Sequence, residues 1–329
     1  MIVNVISNIR NEGDERPLYT GLQRDHDVLR RLLVELGCEV RAVNIFTDPM
    51  MPATADLNIY LETLHQGRYL NAAKESWFFP NCEWYFPEWD CLLPRISKVF
   101  CKTPDAFRIW SRKVTPDKCL YSAFESRDLY NPTIAKEPRF LHVAGKSSAK
   151  GTELLMQAWR SMPYYLTVVT CGQPGPYNNG GEAAQARALA EMCRHIPSVE
   201  HRENVSETEL ADLMNRCRFV IAPSFQEGHG HSPHEALGCK AVLLTTNAPS
   251  MSEFNGIDKR LLLPVERQEP RLLTRFNFIS PLHVREVVEY AGSLPNEELD
   301  KIGGKAREGF LEDRSFFRLT IKKMIEELA

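Results

Sequence analysis

Short apolar runs alternate with longer amphipathic stretches along most of the 329 residues, and this rhythm limits the fold more than any other feature. The run "IVNVIS" (2–7) reads as a buried strand. The stretch after it, 22–37, puts Leu22, Val28, Leu29, Leu32, Leu33 and Leu36 on one helical stripe closed by Gly37. Apolar strands joined by amphipathic helices bury both faces of a parallel sheet. Further strands are expected at 39–45, 56–62, 76–80, 98–102 and 118–124, with a helix after Thr103-Pro104. A polar stretch with two prolines, 125–139, reads as a linker. The rhythm then restarts with strands at 139–145, 164–172, 218–224 and 241–246 and helices at 151–162, 183–193 and 207–217. The pattern predicts an α/β chain of two Rossmann-like domains. The expected bounds are 1–130 and 131–311. The final helix (313–329) has its stripe at Phe317, Ile321, Met324 and Ile325.

A net charge of −3 gives no global pull toward nucleic acid or anionic membrane. No apolar run is long enough to cross a bilayer, and the start lacks a signal-peptide pattern. Nine scattered cysteines with no CxxC pair argue against structural zinc and a disulfide framework. A reduced, cytoplasmic chain without stable membrane insertion is expected.

The densest chemistry lies in "SFQEGHGHSPHEALGC" (224–239), with Glu227 and Glu235 on either side of a glycine turn. Ser232 suits a helix N-cap, Pro233 the first helical position and Glu235 the third, which is a capping box. The same residues suit a ligand crevice. Gly228 and Gly230 let backbone approach a ligand, and helix N-terminal N–H groups attract anions or hydroxyls. His229, His231 and His234 raise a metal site, but no HExxH helix follows. Their rings are expected to meet the ligand or pack against it.

This stretch resembles the sugar-nucleotide signature of glycosyltransferase family 4, the retaining enzymes of the two-Rossmann-domain (GT-B) fold. The resemblance implies two domains facing across a cleft, with the C-terminal helix, 312–329, returning to pack on the first domain. "EGHGHSPHEALG" keeps the glutamate spacing, both glycines, Ser232, Pro233 and Ala236, while histidines replace the usual residues at 229, 231 and 234. "FLHVAGKSSAKGTELLMQAW" (140–159) is similar to the family element whose cations hold the donor diphosphate, and "AFESRDLYNP" to its inter-domain segment through Tyr130 and Pro132, with Ser126 or Asp128 at its polar position.

The resemblance implies sugar transfer from a UDP- or GDP-linked donor with retention, no metal, and no cofactor beyond the nucleotide sugar as co-substrate. It gives Lys146 and Lys150 to the leaving diphosphate and Glu227 to the sugar hydroxyls. Glu235 falls to the ribose, with Gly228, His229, Gly230, His231, Ser232 and Gly21 around the donor. Gln23, Arg24 and His26, beside Gly21, are expected to reach donor or acceptor. The Asp25-His26-Asp27 triplet has a metal-binding form, but its place early in a helix favours ordinary first-turn acids.

The aromatic stretch 77–89 is either a buried strand with packed loops or an acceptor platform using Trp84, Tyr85 or Trp89, with Glu62 and Glu83 nearby. The acceptor is a glycan or small molecule, and a modified nucleic-acid base stays open. The alternatives are a non-catalytic nucleotide-binding protein and a sugar-nucleotide epimerase or hydrolase on the same fold. Oligomeric state is not written in the sequence.

Overall fold

The apolar runs become parallel strands in the computed structural model, which describes residues 1–8, 21–45, 53–64, 67–145, 147–171 and 181–328. Two units separate. Unit 1 comprises Met1–Ser126, Pro270–Arg275 and Asp313–Ala329; unit 2 comprises Arg127–Glu269 and Phe276–Glu312. The division after Ser126 falls just before the boundary expected at 130.

Unit 1 is built from β1 (Ile2–Ser7), α1 (Gly21–Glu35), β2 (Glu39–Asn44), β3 (Ala55–Glu62), β4 (Ala73–Pro80), β5 (Lys98–Cys101), α2 (Pro104–Trp110) and β6 (Cys119–Tyr121). The strands lie in the order β2-β1-β3-β4-β5-β6 and all pair parallel. Ile59 sits between Val5 and Trp77 in register, so alternate residues build one continuous apolar face. The α1 stripe covers that face with Val28, Leu29, Leu32 and Leu33, joined by Phe317, Ile321 and Ile325. Each such side chain, fully enclosed, contributes about 1.5–3 kcal/mol of burial. The opposite face packs Tyr60, Phe78, Tyr85 and Trp110.

Unit 2 contains β7 (Glu137–Gly145), α3 (Thr152–Trp159), β8 (Leu166–Thr170), α4 (Gly181–Arg194), β9 (Val199–Glu203), α5 (Glu207–Arg216), β10 (Cys217–Ala222), α6 (His231–Gly238), β11 (Val242–Thr246) and β12 (Leu262–Leu263). A hairpin, β13 (Arg267–Arg271) and β14 (Thr274–Phe278), follows, then α7 (Pro281–Ser293) and α8 (Asn296–Leu328). Its sheet runs β12-β11-β10-β7-β8-β9. Renumbered within the unit this is the dinucleotide-binding order 3-2-1-4-5-6, and its switch point, where such sheets bind ligands, lies between β7 and β10.

Two sequence expectations need correction. The last helix does not begin at 313 but is continuous over Asn296–Leu328. Gly303 and Gly309 disguise it, and each is needed for close approach. A Cβ at 303 would lie 2.5 Å from the Lys240 carbonyl oxygen, and one at 309 would lie 2.3 Å from Asn255 backbone. The Asp25-His26-Asp27 acids are not in the first turn of α1, which holds no acid. Asp25 is instead buried in an ion pair with Lys102.

Candidate functional site

Two loops meet at the switch point of unit 2. The first leaves β7 at Gly145, forms one 3-10 turn (Ser148–Lys150) and enters α3 through Gly151. Gly151 has φ 69°, and a Cβ there would lie 2.1 Å from the Pro223 carbonyl oxygen, so only glycine permits the contact. The second loop leaves β10, and its Phe225 N–H donates to the Ala149 carbonyl at 2.7 Å. Thr246 and Asn277 fasten the same loop through the carbonyls of Ser224 and Phe225, at 2.6 and 2.9 Å.

This scaffold brings together two of the expected residues. Lys150 Nζ donates to Glu227 Oε1 at 2.5 Å, and Ser224 Oγ donates to the same oxygen at 2.6 Å. Ser250 Oγ donates to the Glu227 carbonyl at 2.6 Å. The Glu227 side chain retains 10% of its exposure and Lys150 24%, so the pair sits at the edge of solvent. A ligand therefore reaches it without unfolding the loop. Beneath, His142 is locked between the Ile221 carbonyl (2.9 Å) and the Thr152 hydroxyl (2.8 Å). Burial pushes its imidazole down to about 4, with the Lys150 cation adding to the shift, so the ring under the site stays neutral. Gln226 Nε2 is buried and has no hydrogen-bond partner among the described residues. A buried donor left open beside an ion pair suits a ligand acceptor group. Lys146 lies outside the described residues.

Glu235 is a correction. The helix α6 starts at His231, and its N-cap is Gly230 at φ 84° with no side-chain cap bond, so Ser232 caps nothing and the capping box is absent. The chain enters the helix one turn earlier than Ser-Pro suggests, because Gly230 supplies the left-handed entry. Glu235 is fully buried and accepts from Arg127 Nε at 2.8 Å. Arg127 also pairs with Glu207 at 2.9 Å, while its Nη2 is buried without a hydrogen-bond partner among the described residues. A fully buried carboxylate needs such a partner. Sequence reading missed Arg127 because 108 residues separate the two. Ser224 was legible only as a neighbour of the motif.

The three histidines are packed side chains. His229 and His231 are each 7% exposed, and His234 is fully enclosed. His234 stacks on Phe254 with centroids 5.6 Å apart and tilts against Phe310, while His229 meets both other rings edge-on at 5.1 Å. No group of histidine, cysteine, aspartate and glutamate suited to a metal occurs among the described residues. Gly228 lies on the loop between Glu227 and His229.

The candidates of unit 1 fall at different depths. Gly21 opens α1, and His26 is buried on it. Tyr85 has no exposure and donates its hydroxyl to Asp90 at 2.7 Å, which corrects its expected place on a stacking platform. Trp89 is likewise buried, whereas Trp84 is 47% exposed with the Arg271 guanidinium 5.8 Å from its ring centroid. Glu62 ends β3 and bonds Asn81.

Comparison with known proteins agrees with this geometry. Residues 130–272 match the family model described as Glycosyl transferases group 1. A curated relative, the serotype-specific mannosyltransferase WbdA of Escherichia coli, is 29% identical over 87 residues, 26% of this chain and 11% of that protein. The matched segment thus spans about a tenth of the relative's length. Sucrose-phosphate synthase from Thermosynechococcus elongatus superposes with a TM-score of 0.73 at 13% identity, covering 100% of this chain and 99% of that one. Anabaena HepE, solved with UDP and glucose, gives 0.63 at 14% identity over 99% and 98% of the two chains. No helix among the described residues is long and apolar enough to cross a membrane. The chain therefore has the two-Rossmann-domain fold of the GT-B glycosyltransferases, with a match to Glycosyl transferases group 1 across residues 130–272.

Proposed function

We propose that the chain is a retaining, metal-independent glycosyltransferase of family 4 type that uses a nucleotide diphosphate sugar. The observation that carries this is the Lys150–Glu227 pair, held at the β7/β10 switch point between a helix start and an enclosed glycine turn. A diphosphate carries its charge to such a point, because oriented N–H groups and an ammonium neutralise it without solvent rearrangement.

On this reading the bond from the anomeric carbon to the diphosphate oxygen breaks, and the electron pair stays on the diphosphate. Lys150, with Lys146, stabilises that charge, so the cationic role needs no metal. The acceptor oxygen attacks the same face, and its proton passes to the leaving phosphate oxygen. Glu227, fixed by Ser224 and Ser250, orients the sugar hydroxyls. Glu235, oriented by Arg127, faces the ribose, and the open donors on Gln226 and Arg127 supply hydrogen bonds to the nucleotide sugar. Gly228, His229, Gly230, His231 and Ser232 wall the donor. The donor is UDP- or GDP-linked. Nine free cysteines, eight of them at least half-buried or deeper, fit a reducing cytoplasm.

The test is a panel of UDP- and GDP-sugars, read as protection against melting and as slow release of free sugar. Lys150→Ala and Glu227→Ala should each lower turnover by about a hundredfold or more, the scale of losing one preorganised charge contact. Full activity in both variants overturns the assignment. Tight nucleotide binding with no transfer to any acceptor or water would favour a binding protein instead.

A further inference from the structure

The outward side of α8 carries apolar residues where a helix that meets only water carries polar ones. Turning about 100° per residue, the helix points Phe310, Phe317, Ile321 and Ile325 into the core, each at most 5% exposed. On its other side Leu311, Phe316 and Leu319 are 43%, 46% and 63% exposed. Glu308, Leu311, Ser315, Leu319 and Lys322 recur at intervals of three and four residues, so they form one stripe, with Phe316 on its flank. Phe316 stacks on Tyr121 with centroids 5.7 Å apart, which fixes the ring while nearly half of it stays open to solvent.

Charge flanks this apolar stretch in blocks. Lys301 and Lys305 come first, followed by Glu308 and Glu312. Beyond the apolar residues come Lys322 and Lys323, then Glu326 and Glu327, and all eight charged residues are exposed. The order is therefore basic, acidic, apolar, basic, acidic. Reversed, it becomes acidic, basic, apolar, acidic, basic, so an antiparallel copy sets every block against one of opposite sign. The spacing has the same symmetry. Leu311 and Leu319 lie four residues to either side of Ser315, and Glu308 and Lys322 lie seven. A parallel copy would instead set each block against its own sign, which is repulsive. Ser315, being small, lets two helices close to the packed distance of about 8–10 Å at the centre.

The charges are available for such a contact. Lys322 and Glu326, like Lys323 and Glu327, stand 3.8 Å apart with more than half of each side chain exposed, and pairs this loose and solvated exchange at little cost. Four lysines against four glutamates leave no net basic face for an anionic membrane, and half of the face repels any partner of a single sign.

We propose that this face is where a second copy of the chain docks. Two α8 helices pair antiparallel about a twofold axis at Ser315, covering Leu311, Phe316 and Leu319, with Glu308 of each copy against Lys322 of the other. The same patch is used on both copies, so the assembly closes as a dimer. The inference is independent of the reaction proposed above.

Sedimentation velocity of the full chain tests it, run from about 1 to about 200 μM, the range of a small, transient interface. The wild type should pass from monomer to dimer across that range. Glu308→Lys alone and Lys322→Glu alone each create two like-charge contacts in the dimer and should weaken it by about tenfold or more. An equimolar mixture of the two variants restores opposite signs at both contacts and should dimerise as the wild type does. The double variant Glu308→Lys/Lys322→Glu should do so by itself, which also shows that the exchanged residues leave the fold intact. Leu319→Asn should weaken the dimer without lowering the melting temperature of the monomer, because its side chain lies outside the core. A chain that stays monomeric throughout overturns the proposal. So does a dimer indifferent to both single reversals, or one that neither the mixture nor the double variant restores.

Discussion

Lys150 and Lys102 both follow strands of a parallel sheet and both pair with a carboxylate, yet they are built for different work. Lys150 stands at the edge of solvent, its Glu227 partner shared with a serine and its loop closed by Gly151. Lys102 is almost wholly buried, its charge consumed by Asp25 and its remaining reach spent on Asn81. At the entry to α3 a glycine, Gly151, takes the left-handed turn, while at the end of β3 Glu62 is held in that conformation. Each sheet carries a lysine–carboxylate pair beyond its strand ends, and depth separates the two. A partly exposed ammonium can turn from its partner toward an anion in solvent, whereas an enclosed one is held where it is.

The sharpest way to break this comparison is to remove each lysine. Lys102→Ala takes the ammonium away from the buried Asp25 carboxylate and should cost about 3–5 kcal/mol of stability in urea unfolding. Lys150→Ala, at a partly solvated pair, should cost about 1 kcal/mol or less while abolishing most turnover. Equal stability losses would mean that the two pairs are not different in kind. Next in size, Gly151→Ala should destabilise by about 2 kcal/mol or more, because its Cβ meets a carbonyl oxygen in a left-handed backbone. A fall in melting temperature with loss of nucleotide binding is the expected result.

The pH dependence of the two units should run in opposite directions. Burial, aided by Asp25 and opposed by Lys102, lifts the Glu62 carboxyl to about 7 from an ordinary 4.5. The folded chain then holds a proton that the unfolded chain has lost, so this contribution to stability falls as pH rises from about 4.5 through about 7. His142 is depressed to about 4 from 6.5, so its contribution is present above 6.5 and is lost as pH falls toward 4. Stability measured against pH in Glu62→Gln and His142→Gln variants should lose one slope each. A small effect of opposite sign is expected from Glu62→Gly, which relieves the left-handed strain and should stabilise by about 1 kcal/mol at neutral pH. A destabilised Gly variant would mean that the Glu62 side chain contributes more by its contacts than its backbone costs.

Much of this was legible in the sequence, for physical reasons that differ by element. The strand and helix rhythm could be read because burial on two faces demands apolar runs, and because the α1 stripe repeats with helical period. Glu227 and Lys150 could each be singled out because motifs join charged residues to glycines at strand ends, but their pairing with one another could not. The length of α8 was hidden, since the glycines that permit its close packing at 303 and 309 look like interruptions when their neighbours are unknown. Tyr85 and Trp84 are adjacent and chemically alike, yet one is enclosed and the other open, a difference of facing that no single-sequence pattern carries.

The sequence by itself determined two α/β halves and the carboxylate, lysine and glycine residues at the ends of particular strands, because those signals are local and periodic. Only the tertiary structure decided the partners. Arg127 reaches Glu235 across 108 residues, Asp25 finds Lys102 across 77, and Gly230 rather than Ser232 starts α6. Whether a charge ends as a fixed strut or an available ligand contact depends on what surrounds it, and those surroundings come from distant segments.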